Sequence, residues 1–515
     1  MRAAIVHTLL LPLSLGALAA PAPLRPSVEQ YRQAHEASIV RELADFVAIP
    51  NLASDTENIR RNARRLAEMM GKRGVEARLL EQPEAPPVVY GELRSPGARR
   101  TLVFYAHYDG QPVDPAQWKS PPWAPVLRDA QGKDIPLPVA GGGIAPEARL
   151  FGRSASDDKA PIVAMLTALD ALRASAVEPS VNLKFFFEGE EEAESKHLEA
   201  FLEGNRALLA SDGWIFCDGP VHQSRRMQVV YGARGVVSLD LTVYGPARAL
   251  HDGHYGNWAP NPAARLASLL ASMRDPEGKV LIAGFHDGVR LIGESERAAI
   301  AKIPNVDDDL RKSLGLARTE ADDAPLPERI LLPALNIRGL QAGRVGKEAA
   351  NAIPTEAQAS IDLRLVPDQK LEEVKQAVER HIAAQGYFIV RDDPDAATRL
   401  SHARLVRVRW GGGYRGVRLP LDAPLSLAVA SVVTGAMGDV PVVQLPILGG
   451  SVPLATIQDA LGAPIVIVPI VNHDNNQHAA NENLRLQNLW DGVQIFAALF
   501  ADLGKAWEKP GARSP

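Results

Sequence analysis

Residues 181–195 read VNLKFFFEGEEEAES, an apolar run that passes without a break into a cluster of glutamates. A block of like charges is usually a solvated face, so the acids alone say little. The apolar half says more, because a short continuously apolar run bounded by turn residues suits a strand buried on both faces. The same kind of run recurs as TLVFYAH (101–107), GWIFCDG (213–219) and PIVIVPI (464–470). Between the first two such strands lies PIVAMLTALDALRAS (161–175), with Ile162, Met165, Leu166, Leu169 and Leu172 at helical spacing. Strand, helix, strand predicts an α/β domain built on a mainly parallel sheet.

The middle of the chain has a different grammar. In VVSLDLTVY (236–244) Val237, Leu239, Leu241 and Val243 alternate with Ser238, Asp240 and Thr242, and AQASIDLRL (357–365) alternates likewise. Such alternation predicts a sheet with one wet face. Two amphipathic helices accompany it, one lined by Leu266, Leu269, Leu270 and Met273, the other by Leu371, Val374, Val378 and Ile382. A smaller α+β domain over about 230–412, ending at the glycine cluster WGGGYRG, is therefore expected to interrupt the larger α/β domain formed by 24–229 and 413–515.

The 515 residues, 46% hydrophobic and 23% charged, suffice for two domains. A net charge of −5 offers no basic footprint for nucleic acid or an anionic membrane surface, so a small molecule or peptide is the expected partner. The opening MRAAIVHTLLLPLSLGALAAPAP has an early arginine, an apolar stretch broken by Pro12 and small residues at 17 and 19. It reads as a signal peptide over 1–20, which predicts a secreted or periplasmic protein with no membrane attachment after its removal; an N-terminal anchor is the alternative. Cys217, the single cysteine, cannot pair within the chain and is expected to pack in the core. The tail KPGARSP is expected to fray.

Ligand-type residues gather at the ends of the apolar strands. His107 and Asp109 follow the first, Glu191 and Glu192 the second, Asp218 the third and His478 the last, while Asp157 and Asp158 precede the helix. In open α/β sheets ligands bind beyond the carboxyl ends of the strands. Imidazoles and several carboxylates converging there suit a pair of divalent metal ions, which need nitrogen donors, hard oxygen donors and negative charge. Ions roughly 3.5–4 Å apart call for a shared ligand. A further carboxylate must stay free to move protons between the attacking water and the leaving amine, and adjacent glutamates can divide that labour.

The motifs YAHYDGQPVDPAQWKSPPWAP, GRSASDDKA, EGEEEAES, CDGP, ALHDGHYGNWAPNP, NAIP, DLRLVP, LGGSVP and QHAANENL resemble, in order, those of the dinuclear zinc peptidase family M20, which includes carnosinase-like dipeptidases, carboxypeptidase G and acetylornithine deacetylase. The stretch after His107 is most similar to the dipeptidase branch. The resemblance implies a zinc-exopeptidase catalytic domain with an inserted lid and dimerisation domain, and two divalent metal ions, zinc with manganese or cobalt as alternatives. It implies His107, Asp157, Glu192, Asp218 and His478 as metal ligands, Asp157 bridging. Glu191 would be the general base and Asp109 the acid that orients His107. His251 would reach the active site of the partner subunit in a homodimer and hold the scissile carbonyl oxygen. Arg364 would clamp a substrate carboxylate, with a surface ion pair to Asp362 as the ordinary alternative. Asn351 and Ser451 match substrate-contacting positions. Asp158 is read as a helix-start acid facing the dipole, and Glu188, Glu190 and Glu194 as solvated or structural.

Several positions depart from the family pattern: Ser154, Ala160 and Glu194 stand where glycines are usual, and Asp252 follows His251 in place of serine. DIPLPVAGGGIAPEA, roughly 134–147, is inserted before the bridging aspartate and is expected either to narrow the cleft or to be a surface excursion. The expected function is metal-dependent hydrolysis of amide bonds in dipeptides or short peptides. An N-acyl-amino-acid deacylase or glutamate-type carboxypeptidase is the alternative, and a catalytically silent peptide-binding protein a more distant one.

Overall fold

The computed structural model describes residues 24–138, 143–320 and 324–508. The leader-like residues 1–20 and the terminal residues 509–515 lie outside them. Among the described residues no helix is long and apolar enough to cross a membrane.

The four apolar runs lie in one eight-stranded sheet. Thr101–His107 is flanked in parallel by Asn182–Glu188 and Gly213–Phe216, and Ile465–Ile467 runs parallel to the last of these. Antiparallel pairs extend the sheet, with Val88–Leu93 joining Asn182–Glu188 on one side and Gln228–Val230 bridging to Ile465–Ile467 on the other. The parallel centre explains the unbroken apolar runs, because both of its faces are covered. On one face Phe104 meets Phe500 edge-on at 4.9 Å between ring centroids, and on the other Tyr105 stacks on Phe216 at 4.0 Å. Each such ring, wholly removed from water, contributes on the order of 1.5–3 kcal/mol.

Lys159–Ala174 is apolar around nearly its whole circumference because it is buried between the sheet and the helices Leu24–Val47 and Leu486–Glu508. Cys217 is buried in this core.

The second domain carries a five-stranded sheet ordered Ala334–Gln341, Glu356–Leu365, Gly235–Tyr244, Leu405–Tyr414, Phe388–Val390. Helices Pro262–Met273 and Leu371–Ala384 cover one face through Leu266, Leu269, Val374 and Val378 against Val237, Leu239 and Leu241. The opposite face is wet at Asp240 but not throughout. Thr242, expected outside, is buried, and Arg407 donates to its Oγ1; beyond it Tyr244 is buried too, with Arg399 over its ring and its hydroxyl donating to Asp393 Oδ1 at 2.5 Å.

The two domains are joined where the chain crosses twice, at Gly232–Ala233 paired with Val417–Arg418. A Cβ on Gly232 would stand 1.9 Å from the Val417 carbonyl oxygen, and one on Gly235 2.4 Å from that of Tyr414, so glycine is what lets the crossing strands approach.

The described residues of the insertion, 134–138 and 143–147, run along the flank of the catalytic domain. Asp134–Ile135 adds to a small sheet with Val126–Arg128, Arg149–Phe151 and Asn483–Arg485, and the Ile144 amide donates to Glu36 of the first helix at 3.0 Å. Its described residues form no part of the cleft's lining, so they do not narrow it; residues 139–142 lie outside the described part.

Candidate metal centre and catalytic cleft

Each strand of the parallel centre ends at the same edge of the sheet, and the chemistry-bearing side chains follow from that edge. His107 closes its strand with its side chain buried, and Asp109 lies two residues on. The Asp109 carboxylate stands 3.3 Å from His107 Nδ1 and also accepts the amides of Glu191 at 3.1 Å and Glu192 at 3.0 Å. One acid thus stands against the ring and pins the short 3-10 turn Glu191–Ala193.

Asp157 stands between the two imidazoles. Its Oδ1 is 3.0 Å from His107 Nε2 and its Oδ2 3.3 Å from His478 Nε2. The same His478 nitrogen is 3.2 Å from Glu192 Oε2. Among the described residues two groups have ligand atoms within 4.8 Å of one another, namely His107, Asp158 and Asp218, and Asp157, Glu192 and His478. Either could hold a metal ion.

The reading of Asp158 as a dipole-facing helix acid is corrected here. It occupies the N-cap position of Lys159–Ala174 but makes no side-chain cap bond. Its Oδ2 accepts the His107 amide at 3.3 Å and its buried Oδ1 has no partner. The backbone is therefore turned so that Asp158 faces the strand end. Of the solvated and structural readings, Glu188 and Glu190 take the structural one: both are buried, Glu188 accepting from Tyr105 Oη at 2.6 Å and Glu190 from the His197 amide at 2.6 Å.

The electrostatics of the cluster follow from too many acids for two imidazoles. Burial pushes the Asp218 carboxyl up to about 7, with the Asp157 charge adding to it. Burial likewise raises Glu191 well above the carboxylate range, His107 opposing and Asp218 and Glu192 reinforcing it. Asp157 is held below its ordinary value against burial by the bonds from His107 and His478. His478 is raised to about 10 by Asp157 and Glu192. A crowded, partly orphaned set of hard oxygen and imidazole donors is what divalent cations would satisfy, so the residues fit the metals that the motifs imply.

Several residues of the site carried no sequence expectation. Gln111 donates to Glu192 Oε2 at 2.7 Å and Gln477 to Asp157 Oδ2 at 3.1 Å. Glu482, with no exposed surface, seats the whole loop that carries Asp157. Its Oε1 accepts from Ser156 N, Ser156 Oγ and Asp157 N at 2.9–3.0 Å, and its Oε2 from Arg153 Nη1 and Ser154 N at 2.8 Å. From the other side buried Lys159 donates to Asn62 Oδ1 at 2.7 Å and Phe46 O at 2.8 Å. Only proximity to His478 in QHAANENL hinted at Glu482.

A cleft of about 620 Å³ opens over the cluster, lined by Asp157, Glu191, Asp218 and His478 from the catalytic domain and by Arg364 from the smaller domain. Arg364 donates to Asp362 Oδ2 and to Ser451 Oγ, both at 2.7 Å, so it makes the local ion pair and also faces the cleft beside Ser451. His251 and Asn351 are placed elsewhere. Both are exposed, neighbours through the pairing of Leu250–His251 with Ala352–Ile353, and neither lines this cleft.

An acid-and-histidine cluster at the carboxyl edge of a parallel sheet, faced by an inserted domain, defines a metal-dependent hydrolase with a lid. The chain belongs to Peptidase family M20/M25/M40, whose profile it matches over residues 103–502. It is 27% identical to Beta-Ala-His dipeptidase of Homo sapiens over 532 residues, covering 98% of each chain. It is 28% identical to Cys-Gly metallodipeptidase DUG1 of Saccharomyces cerevisiae over 422 residues, 80% of this chain and 81% of that one. The crystal structure of the M20 family metallo-carboxypeptidase Sso-CP2 from Sulfolobus solfataricus superposes with a TM-score of 0.75 at 28% identity, covering 91% of this chain and 99% of that chain.

Proposed function

We propose that the protein hydrolyses the amide bond of dipeptides or short peptides, using two divalent cations, with zinc the first candidate and manganese or cobalt the others. The observation that carries this is Asp157, whose two oxygens face different imidazoles while Glu191 lines the adjoining cleft. In this reading His107 and Asp218 would hold one cation and Glu192 and His478 the other, with Asp157 available to both. The cations would polarise the scissile carbonyl and acidify a water. Glu191 takes the proton from the attacking water as the water oxygen bonds to the carbonyl carbon, and returns it to the amine nitrogen as the C–N bond breaks. Arg364 and Ser451 receive the substrate's free carboxylate, and a guanidinium can do so through two parallel bonds. The dipeptidases among the relatives support a dipeptide over an acyl amino acid.

Elemental analysis of the purified protein is expected to find about two transition-metal ions per chain. Chelation abolishes peptide hydrolysis, and zinc, manganese or cobalt restores it. A metal-free protein that no cation activates would overturn the mechanism.

The same proposal makes the protein a homodimer in which His251 completes the partner's site, holding the carbonyl oxygen with Asn351 beside it. What supports this is that both residues stand exposed on the lid, apart from their own cleft, and that the edge strand Ala334–Gln341 exposes Ile337 and Leu340. An exposed apolar edge of this kind favours pairing with a second chain. His251→Ala is expected to lower kcat about 10²–10³-fold, the loss typical of one oxyanion donor. Mixing it with Glu191→Gln subunits restores activity in the hybrid dimers; absence of rescue would remove the cross-subunit role. The leader-like opening residues support a secreted or periplasmic location.

A further inference from the structure

The cleft does not stop at the metal cluster. Leading away from Asp218, the loop Gly219–Val221 brings His222 and Gln223 to face Leu326 and Pro327 of the lid's helical excursion, and these four residues also line a second cavity of about 430 Å³. Its inner wall is apolar: Ile292, Ile300, Ile303, Pro304 and Val306. The isoleucines touch buried clusters yet remain only half-buried, Ile303 against the core beneath the large sheet and Ile292 and Ile300 against Leu331, Val366 and Ile447. The charged residues of the lining are Arg297 and Glu328, both exposed, and half-buried Asp307, whose Oδ2 accepts the Leu326 amide at 3.2 Å. On the cleft side the wall continues through Ile330, Leu448 and Val452.

We propose that this annex is a subsite for the side chain of a large apolar residue, so that the preferred substrates are peptides carrying Phe, Leu or a similar residue next to the scissile bond. The inference rests on the peptidase reading and adds the side-chain class to it. A cleft of 620 Å³ already falls within the roughly 300–1,000 Å³ of sites that enclose drug-sized ligands. A dipeptide of small residues fills part of it and leaves the isoleucine wall wet. An aromatic or branched side chain that passes His222 covers that wall and removes apolar surface from water on both partners. His222 shapes the passage: its ring is 6% exposed and its Nδ1 accepts the Ser224 amide at 3.1 Å, which fixes the ring's direction. The shared chemistry of the ligand is the apolar group, which an N-acyl chain could also present. The free amine separates the two sources.

The test compares Phe-Ala, Ala-Phe, Ala-Ala and 3-phenylpropionyl-Ala with the metal-loaded enzyme, the last lacking only the amine of Phe-Ala. One of the Phe dipeptides is expected to exceed Ala-Ala in kcat/KM by about tenfold or more, the discrimination a hydrophobic pocket reaches. Ile303→Trp and Ile300→Trp, which fill the annex, bring that ratio down toward one, while melting temperature and metal content report whether the variants are folded. Equal cleavage of Ala-Ala and both Phe dipeptides, or a ratio indifferent to both tryptophans, overturns the annex and leaves the peptidase reading standing. Preference for the acyl compound over Phe-Ala overturns its assignment to a peptide side chain. If none of the four is cleaved, the peptidase reading falls, and calorimetric binding of Phe-Ala, Ala-Phe and Ala-Ala to the same protein still decides the annex: equal affinity overturns it.

Discussion

Glu191→Gln is expected to retain both metal ions and to lose about 10²–10⁴-fold in kcat, the usual contribution of a positioned general base. The substitution is nearly isosteric, and Glu191 is held by its backbone, through the amide that Asp109 accepts, so the turn keeps its shape. Glu192 and the other donors are untouched. What disappears, in the proposed mechanism, is the capacity to accept a proton from the water and deliver it to the amine. Elemental analysis and steady-state kinetics on the same preparation separate the two effects. A variant that loses metal would make Glu191 a ligand, and one that turns over normally would move the base elsewhere. Because Glu191 lies beside Glu192, the contrast between Glu191→Gln and Glu192→Gln is informative: the second is expected to lose metal first and activity in consequence.

Glu482→Ala is expected to be the most destabilising single change at the site, by about 3–5 kcal/mol, because it leaves a buried guanidinium without its counter-charge. Arg153 is 2% exposed and its Nη1 has Glu482 as carboxylate partner. The amides of Ser154, Ser156 and Asp157 lose their acceptor at the same time. These amides set the direction of the Asp157 carboxylate, so metal affinity falls together with stability. The predicted signature is a lower denaturation midpoint in the metal-free protein and weaker metal binding under conditions where the variant is still folded. Full stability in the metal-free state would show that the loop is held by Lys159 and its partners instead. Glu482→Gln keeps the shape and one acceptor oxygen and is expected to lie between the two, since an amide nitrogen must then face backbone donors.

Much of the architecture was legible because its signals are local. Continuous apolar runs marked the strands covered on both faces, and alternation marked the lid sheet, where Val237, Leu239 and Leu241 are indeed buried. Alternation misled at Thr242, since it cannot register that Arg407 folds back over the outer face. The acids and histidines at strand ends could be named in advance, and the fold does bring His107, Asp109, Asp157, Glu191, Glu192, Asp218 and His478 together. Their neighbours could not. Asp158 was misread because whether a residue before a helix caps it or turns to a strand end depends on backbone direction, which residue type leaves open. The insertion could have gone to the cleft or the flank, and for its described residues the bond from Ile144 to Glu36 of the first helix decided it.

By itself the sequence determined which segments are strands, which residues stand at their ends and what chemistry such residues can perform, because period, apolarity and side-chain type are properties of short stretches. Only the tertiary structure decided that Asp157 shares its oxygens between two imidazoles and that Glu482 seats it from more than three hundred residues away. It also decided that Arg364 faces the cleft while His251 does not, and that the cleft opens into an apolar annex past His222. Those relations arise where distant strand ends and loops meet. They depend on the order of strands in the sheet and on the path between the domains, which no stretch of sequence specifies alone.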